Sequence, residues 1–333
     1  MNLILWLMVT AFFMLQAPLA SAASYFEGQT ITIVVGYKPG GGYDQYARLL
    51  AKHLPKYIPG SPTVIVQNMP GGGSVIAANS LYATAKPDGF TIGTFNNSLV
   101  FNQLTKSTAV RFDLTKFAWI GSVASDVAVV AIRSDLPYKT AADLRKAKEI
   151  VMGATGTGDT SYVVPIFLKE YAAMPFKMIV GYSSSSDVML AIERKEVDGR
   201  AGSYVSILPF IDRGLVRPLI RSNVDIAAVR NLPTDESLAS TAKGKAVMAV
   251  RSGPEQMYRP FVAPPGTPDS VMKILRDAFA KATSDKALLA DANKSSMTIE
   301  FTPADGVLKI VRNVLKQPPE IANEIGKFFK AEE

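Results

Sequence analysis

The chain has 333 residues, 48% of them hydrophobic and 20% charged, enough for one large or two medium domains with cores of their own. The formal net charge is +7, but the lysines and arginines are scattered rather than blocked. That disfavours a nucleic-acid surface and leaves solubility, or attraction of anionic solutes, as its meaning. With no cysteine and a single histidine, His53, disulfides, thiolate sites, a cysteine nucleophile and multi-histidine metal sites are excluded; an oxidising compartment is not.

In chain order, the first feature is a nearly unbroken apolar run from Leu3 to Leu15, followed by Ala20-Ser21-Ala22. The run is short for a membrane span, and Ala-x-Ala is a cleavage pattern. Residues 1–22 therefore read as a secretory signal peptide cut after Ala22. No lysine or arginine precedes the run, so an uncleaved anchor is the alternative.

Strands and helices then alternate. Ile31–Val35 is rich in β-branched residues, and Ala47, Leu50, Ala51 and Leu54 repeat at helical spacing from a start near Asp44. Val64–Val66 is the next strand, Ser74 a cap for a helix beginning at Val75, and Thr91–Phe95 a third strand after the Pro87-Asp88-Gly89 turn. This order implies parallel pairing with crossover helices.

A second series follows: strands at Val127–Ile132, Ile150–Ala154, Lys177–Val180, Val197–Ser203 and Val216–Ile220. Between them lie a capping-box start at Thr140–Asp143, a helix marked by Val164, Phe167, Leu168 and Tyr171, and one capped by Ser186. The C-terminal part holds a helix capped by Thr267 with Val271, Ile274, Leu275 and Ala278 on one face, then helices after Thr302-Pro303 and Pro318-Pro319. Two similar α/β lobes result.

The glycine turns carry the chemistry. Gly40-Gly41-Gly42 follows the first strand, Gly71-Gly72-Gly73 the second, and Gly156-Thr157-Gly158 the strand ending at Ala154. A strand that ends in glycines and opens a helix leaves backbone N–H groups free for an anion, although a tight turn without ligand needs the same residues. Neither the G-x-G-x-x-G nor the Walker spacing is present, so a nucleotide site is disfavoured. Gly41 and Gly72 are expected to bring bare backbone to a carboxylate, with φ > 0 a further possibility.

Around these turns, Asp44 reads as a helix cap and Arg48 as solvated. Tyr37, Tyr43, Tyr182 and Tyr204 follow strands or sit in turns, where they stack on a ligand or simply pack. Arg200 is a candidate carboxylate clamp that could instead pair with Asp198, and Ser183–Ser186 supply neutral donors. Asn96, after the third strand, joins the candidates. No triad or close carboxylate pair assembles, and His53 lies on an amphipathic helix, so the site binds rather than reacts.

These residues resemble the substrate-binding proteins of tripartite tricarboxylate transporters, the TctC or Bug family. The matching stretches are Ile33–Asp44 with Ala47-Arg48-Leu49, Val64–Gly73, Pro87-Asp88-Gly89-Phe90, Gly153–Ser161 and Pro264-Pro265-Gly266-Thr267-Pro268. The resemblance implies a type II periplasmic binding-protein fold: two α/β lobes with mixed or parallel sheets and a ligand cleft between them. Lobe 1 would comprise residues 23–125 and 256–333, and lobe 2 residues 126–255. It further implies ligand contacts from Gly36 to Asp44 (Gly36, Tyr37, Gly40, Gly41, Gly42, Tyr43, Asp44) and from Pro70, Gly71, Gly72, Gly73 and Ser74. Across the cleft it places Thr157, Gly158, Asp159, Thr160 and Ser161 with Tyr182, Ser183 and Ser184.

The turn Gly36-Tyr37-Lys38-Pro39 and the stretch Tyr182-Ser183-Ser184 depart from the family pattern, so the ligand need not be a tricarboxylate. The expectation is a periplasmic, monomeric, non-enzymatic receptor without cofactor or metal. It would hand a small organic acid to the permease subunits of a tripartite transporter. A sensor for a signalling partner, and an enzyme on the same fold, are the rivals.

Overall fold

The computed structural model describes residues 25–295 and 297–328. The signal peptide expected at residues 1–22 lies outside them.

The first sheet starts with β1 (Thr30–Val35), β2 (Thr63–Asn68) and β3 (Thr91–Thr94), all parallel. Side chains of β1 alternate: Ile31, Ile33 and Val35 pack under α1 (Gly42–His53), while Val34 faces the opposite core with Leu81 of α2 (Val75–Ala83). After α3 (Leu99–Leu104) come β4 (Ala118–Ala124) and, much later in the chain, β10 (Tyr258–Ala263). β10 inserts antiparallel between β3 and β4, and the short β11 (Thr302–Pro303) closes the edge in the order β11-β4-β10-β3-β1-β2.

The second sheet has the order β7-β6-β8-β5-β9, from β5 (Ala128–Arg133), β6 (Ile150–Ala154), β7 (Phe176–Val180), β8 (Gly199–Ser203) and β9 (Val216–Arg221). It too is mixed: β6 runs parallel to β7 and β8, and β5 antiparallel to β8 and β9. Its helices are α4 (Ala141–Arg145), α5 (Thr160–Ala172), α6 (Ser185–Glu193), α7 (Tyr204–Asp212), α8 (Asp235–Leu238) and α9 (Ala242–Ser252). The chain passes between the sheets twice, from β4 to β5 and back from β9 to β10.

The C-terminal helices return to the first sheet. α10 (Asp269–Thr283) and α11 (Lys286–Lys294) cover the face of Ile31 and Ile33, and α12 (Ala304–Leu315) buries Val307, Val311 and Val314 in the other core. α13 (Pro319–Gly326) reaches the second sheet's helices, where Glu324 accepts from the Tyr171 hydroxyl.

Several local expectations are corrected. Ser74 does not cap α2: it sits at φ +80°, and its Oγ accepts from Asn96 N. Ser184, not Ser186, caps α6, accepting from Asp187 N. Thr267 bonds back to the Pro264 carbonyl, and α10 starts at Asp269. Gly41 has φ −82°, and the left-handed positions in the glycine turns are Gly40, Gly71, Gly72 and Gly73. The capping box at Thr140 and Asp143 is present as read.

Candidate functional site

The two sheets point the starts of their helices at one another, and a cavity of about 40 Å3 lies where they meet. From the first sheet come Tyr37 after β1, Gly42 and Tyr43 opening α1, Asn96 after β3, and Tyr258 and Arg259 of β10. From the second come Asp159 and Thr160 at α5, Ser185 of α6, Arg200 and Ser203 of β8, and Ser206 of α7.

Arg259 is the dominant charge. It is 3% exposed, and its guanidinium lies over the rings of Tyr43, Tyr258 and Tyr46, at 4.2, 4.6 and 5.5 Å from the centroids. These contacts are cation–π attraction in a desolvated setting, where it is strongest. Its NH2 group donates to Ser206 Oγ at 3.0 Å, and its Nε is buried without a partner. Its backbone is left-handed, φ +61°, a conformation worth about 1–3 kcal/mol of strain that tends to persist at functional sites. Burial opposes its charge, but the phenol groups of Tyr43, Tyr258 and Tyr46 and the Asp126 carboxyl outweigh burial and hold it above its ordinary value.

Arg200, also buried, donates to the carbonyls of Ala201 and Ser185. Burial pulls its pKa below the ordinary value, against the opposing pull of Asp159. The pairing with Asp198 does not occur, since Asp198 turns to Arg133 and to Val151 N. Neither Arg200 nor Arg259 forms an ion pair with a carboxylate among the described residues. Two buried guanidinia without an ion-paired carboxylate therefore face the chamber, and an unpaired buried charge is costly until it meets an anion.

Two carboxyl groups stand nearby, each committed elsewhere. Asp126 accepts from Ser203 Oγ and Val127 N, and burial pushes its pKa up to about 6, against the pull of Ser203 and Arg259. Asp159 accepts from Ser161 N, from the Tyr37 hydroxyl and from Asn96 Nδ2. Since Tyr37 and Asn96 belong to the first sheet, Asp159 of the second latches the cleft. Ser98 and Thr160 share a further hydrogen bond at 2.9 Å, and Ser186 Oγ donates to the Gly40 carbonyl at 3.0 Å. Burial also drives Tyr37 well above its normal pKa and Tyr43 up to about 12, so both remain neutral hydroxyls.

A family model described as the tripartite tricarboxylate transporter family receptor matches residues 46–327. The chain belongs to this family. The receptor is similar to a UPF0065 protein of Bordetella pertussis, 25% identical over 321 residues that cover 94% of each chain. In fold it is similar to the periplasmic binding protein BugD, with TM-score 0.72 and 20% identity over 90% of this chain and 97% of that one. MatC from Rhodopseudomonas palustris, solved with bound malate, is likewise similar, with TM-score 0.70 and 18% identity over 91% and 99%. The two-lobed periplasmic binding-protein architecture is thus the one present. No helix among the described residues is long and apolar enough to cross a membrane.

The sequence candidates of this receptor divide among three chambers. Tyr37, Gly41, Gly42, Tyr43, Asn96, Asp159, Thr160 and Arg200 line the arginine chamber. Gly36, Tyr37, Pro70, Gly71, Gly72, Gly73, Tyr182 and Ser183 line a separate chamber of about 150 Å3. Gly40 and Gly42 border a third.

The remaining candidates line none of these three chambers. Asp44 is not the cap of α1: its carboxylate accepts from Gly40 N, Arg48 Nε and Asn68 Nδ2, folding the first glycine turn onto β2. Arg48 is therefore paired, at 2.8 Å, rather than only solvated. Ser74 supports Asn96 N, Ser161 Oγ accepts from Thr155 N, Gly158 packs on Asn102, and Thr157 is exposed. Ser184 caps α6, while Tyr204, the first residue of α7, packs against the second sheet's core. His53 lies beside Asp291, Nε2 to Oδ2 at 3.0 Å, far along α1 from the chambers.

Sequence reasoning missed Arg259, Tyr258, Ser203 and Ser206. The signal for Arg259 was a lone arginine inside Met257–Ala263, an otherwise apolar and aromatic run apart from Pro260.

Proposed function

We propose that this chain is an extracytoplasmic solute receptor that captures a small organic carboxylate between its lobes and delivers it to the permease of a tripartite transporter. The observation that carries this reading is Arg259: a buried guanidinium that lines the small chamber beside Arg200 and whose Nε has no partner. Family membership supports the receptor role, and the malate in the MatC structure supports a carboxylate as the class of ligand.

The leader cut after Ala22 would place the chain in the periplasm as a monomer. Lobe 1 comprises residues 23–125 and 256–333, and lobe 2 residues 126–255, with the hinge at the two crossings. The ligand binds the closed arrangement, adds its charge to the arginine chamber and so shifts the hinge equilibrium. Binding without turnover is the activity.

A melting-temperature series over mono-, di- and tricarboxylates, with a neutral sugar as control, tests the reading. A saturable upward shift with at least one carboxylate is expected, since a ligand that binds only the folded protein stabilises it. A shift with the sugar and none with any carboxylate would remove it.

A further inference from the structure

The arginine chamber, at about 40 Å3, has room for about three or four waters. Bonded atoms lie closer together than waters do, so the same space takes about five or six non-hydrogen atoms. Its lining residues are buried, apart from half-buried Ser185 and Ser206. Hydrogen bonds span the borders with both neighbouring chambers. On the Gly42 side, Arg259 NH2 donates to Ser206 Oγ at 3.0 Å. On the Tyr37 side, the Tyr37 hydroxyl donates to Asp159, and its ring is stacked on Tyr43 at 5.0 Å. An acid held here is therefore compact.

The charge of the lining sets how many carboxylates it holds. The Arg200 and Arg259 guanidinia against the Asp159 carboxylate leave one positive charge, which a single ligand carboxylate balances. A second carboxylate would be buried without a counter-ion. A ligand ammonium would face two guanidinia, and Asp159 is already spent on Tyr37, Asn96 and Ser161.

Two buried side-chain polar atoms of the lining residues have no partner, Arg259 Nε and Thr155 Oγ1. Thr155 is fixed in place, because its backbone N–H donates to Ser161 Oγ at 3.1 Å. A buried hydroxyl without a partner is unfavourable, so a ligand oxygen that meets it is recognised.

We propose that the ligand is a two- or three-carbon monocarboxylate with a hydroxyl or oxo group on the carbon next to the carboxylate. Its charge sits against Arg259 and Arg200, and that second oxygen pairs with Thr155 Oγ1. This specificity rests on the carboxylate-receptor reading above and narrows it, with Thr155 as the residue that selects.

The test is calorimetric titration of the intact protein with acetate, propionate, glycolate, lactate, glycine, hexanoate and succinate, repeated on Thr155→Val and Thr155→Ser. One net hydrogen bond predicts that lactate binds about three- to tenfold tighter than propionate, and glycolate likewise than acetate. That ratio should fall to about one in Thr155→Val and persist in Thr155→Ser. Glycine, hexanoate and succinate should bind more weakly than glycolate. Should the valine variant not fold, the wild-type ratios decide alone. Propionate as tight as lactate in the wild type, glycine as tight as glycolate, or a lactate advantage that survives in folded Thr155→Val overturns the proposal. Hexanoate or succinate binding tightest overturns the compact ligand and leaves the carboxylate receptor standing. No binding by any acid overturns both.

Discussion

The Tyr37 hydroxyl of the first lobe donates to the Asp159 carboxylate of the second, and the same carboxylate oxygen receives Asn96 Nδ2 at 2.5 Å. One acidic side chain therefore holds two polar groups across the cleft, all of them buried. The latch sits beside the arginine chamber without spending either guanidinium, which leaves Arg200 and Arg259 for an incoming anion.

Tyr37→Phe removes one arm of this latch and keeps the ring stacked on Tyr43. Asp159 and Asn96 then lose a buried partner, a change of about 1–3 kcal/mol. Chemical denaturation should show a loss in that range. Small-angle scattering should show a more open average shape in the absence of ligand.

Asp126 makes stability depend on pH with a definite sign. Burial holds its folded pKa at about 6, above the ordinary carboxyl value of 3.8. Between those values the folded chain keeps a proton that the unfolded chain has lost, so this group's contribution falls as pH rises through the window. Asp126→Asn should flatten that part of the stability–pH curve. Because an anion beside Arg259 weakens the arginine's pull on Asp126, ligand binding near pH 6 should take up protons. Calorimetry in buffers of different ionisation enthalpy reads the uptake, and it should disappear in Asp126→Asn.

Arg251 anchors the return crossing. It pairs with Asp235 and Glu255, both at 2.5 Å, and Glu255 also accepts from Ser222 Oγ and Ala128 N. Arg251→Met would leave two buried carboxylates without their cation, a loss of about 3–5 kcal/mol. The denaturation midpoint should fall accordingly, while the folded fraction still binds ligand, because Arg251 does not line the arginine chamber.

Glycines at the lobe contact should act on closure more than on folding. A Cβ at Gly156 would lie 2.5 Å from Gly73 N in the opposite turn, too close for any real contact. Gly156→Ala should weaken ligand binding at least about tenfold and change the melting temperature of the free protein little, as the lobes settle slightly apart.

Much of this architecture was legible because period-two and helical patterns dominate: Ile31, Ile33 and Val35 against Val34, or Val271, Leu275 and Ala278 along α10. The strands β4 and β10 escaped because both lie inside the sheet and lack alternation, and each carries a residue that reads as a break, Gly121 and Pro260. Losing β10 meant losing Arg259. The glycine turns were read as anion cradles from local sequence, but which chamber each would border depends on lobe packing. Gly73 meets Gly156 across the cleft, for example, and nothing in either turn announces it. Asp44 and Ser74 were misread as caps for a related reason: their partners, Asn68 at the end of β2 and Asn96 in the turn after β3, are distant in sequence.

The central claim is that buried Arg259 receives the ligand's charge. Calorimetric titration of the carboxylate that raises the melting temperature most into the wild-type protein and Arg259→Gln tests it most directly. Glutamine keeps a neutral donor in place of the cation but loses the cation–π contacts to Tyr43, Tyr46 and Tyr258, so the fold should persist with a lower melting temperature. The loss of a charge-assisted hydrogen bond, about 1.5–3 kcal/mol, predicts at least tenfold weaker binding in the variant for whichever acid the parent binds. Arg259→Gln binding that acid as tightly as the parent would contradict the account and place the anion outside the arginine chamber.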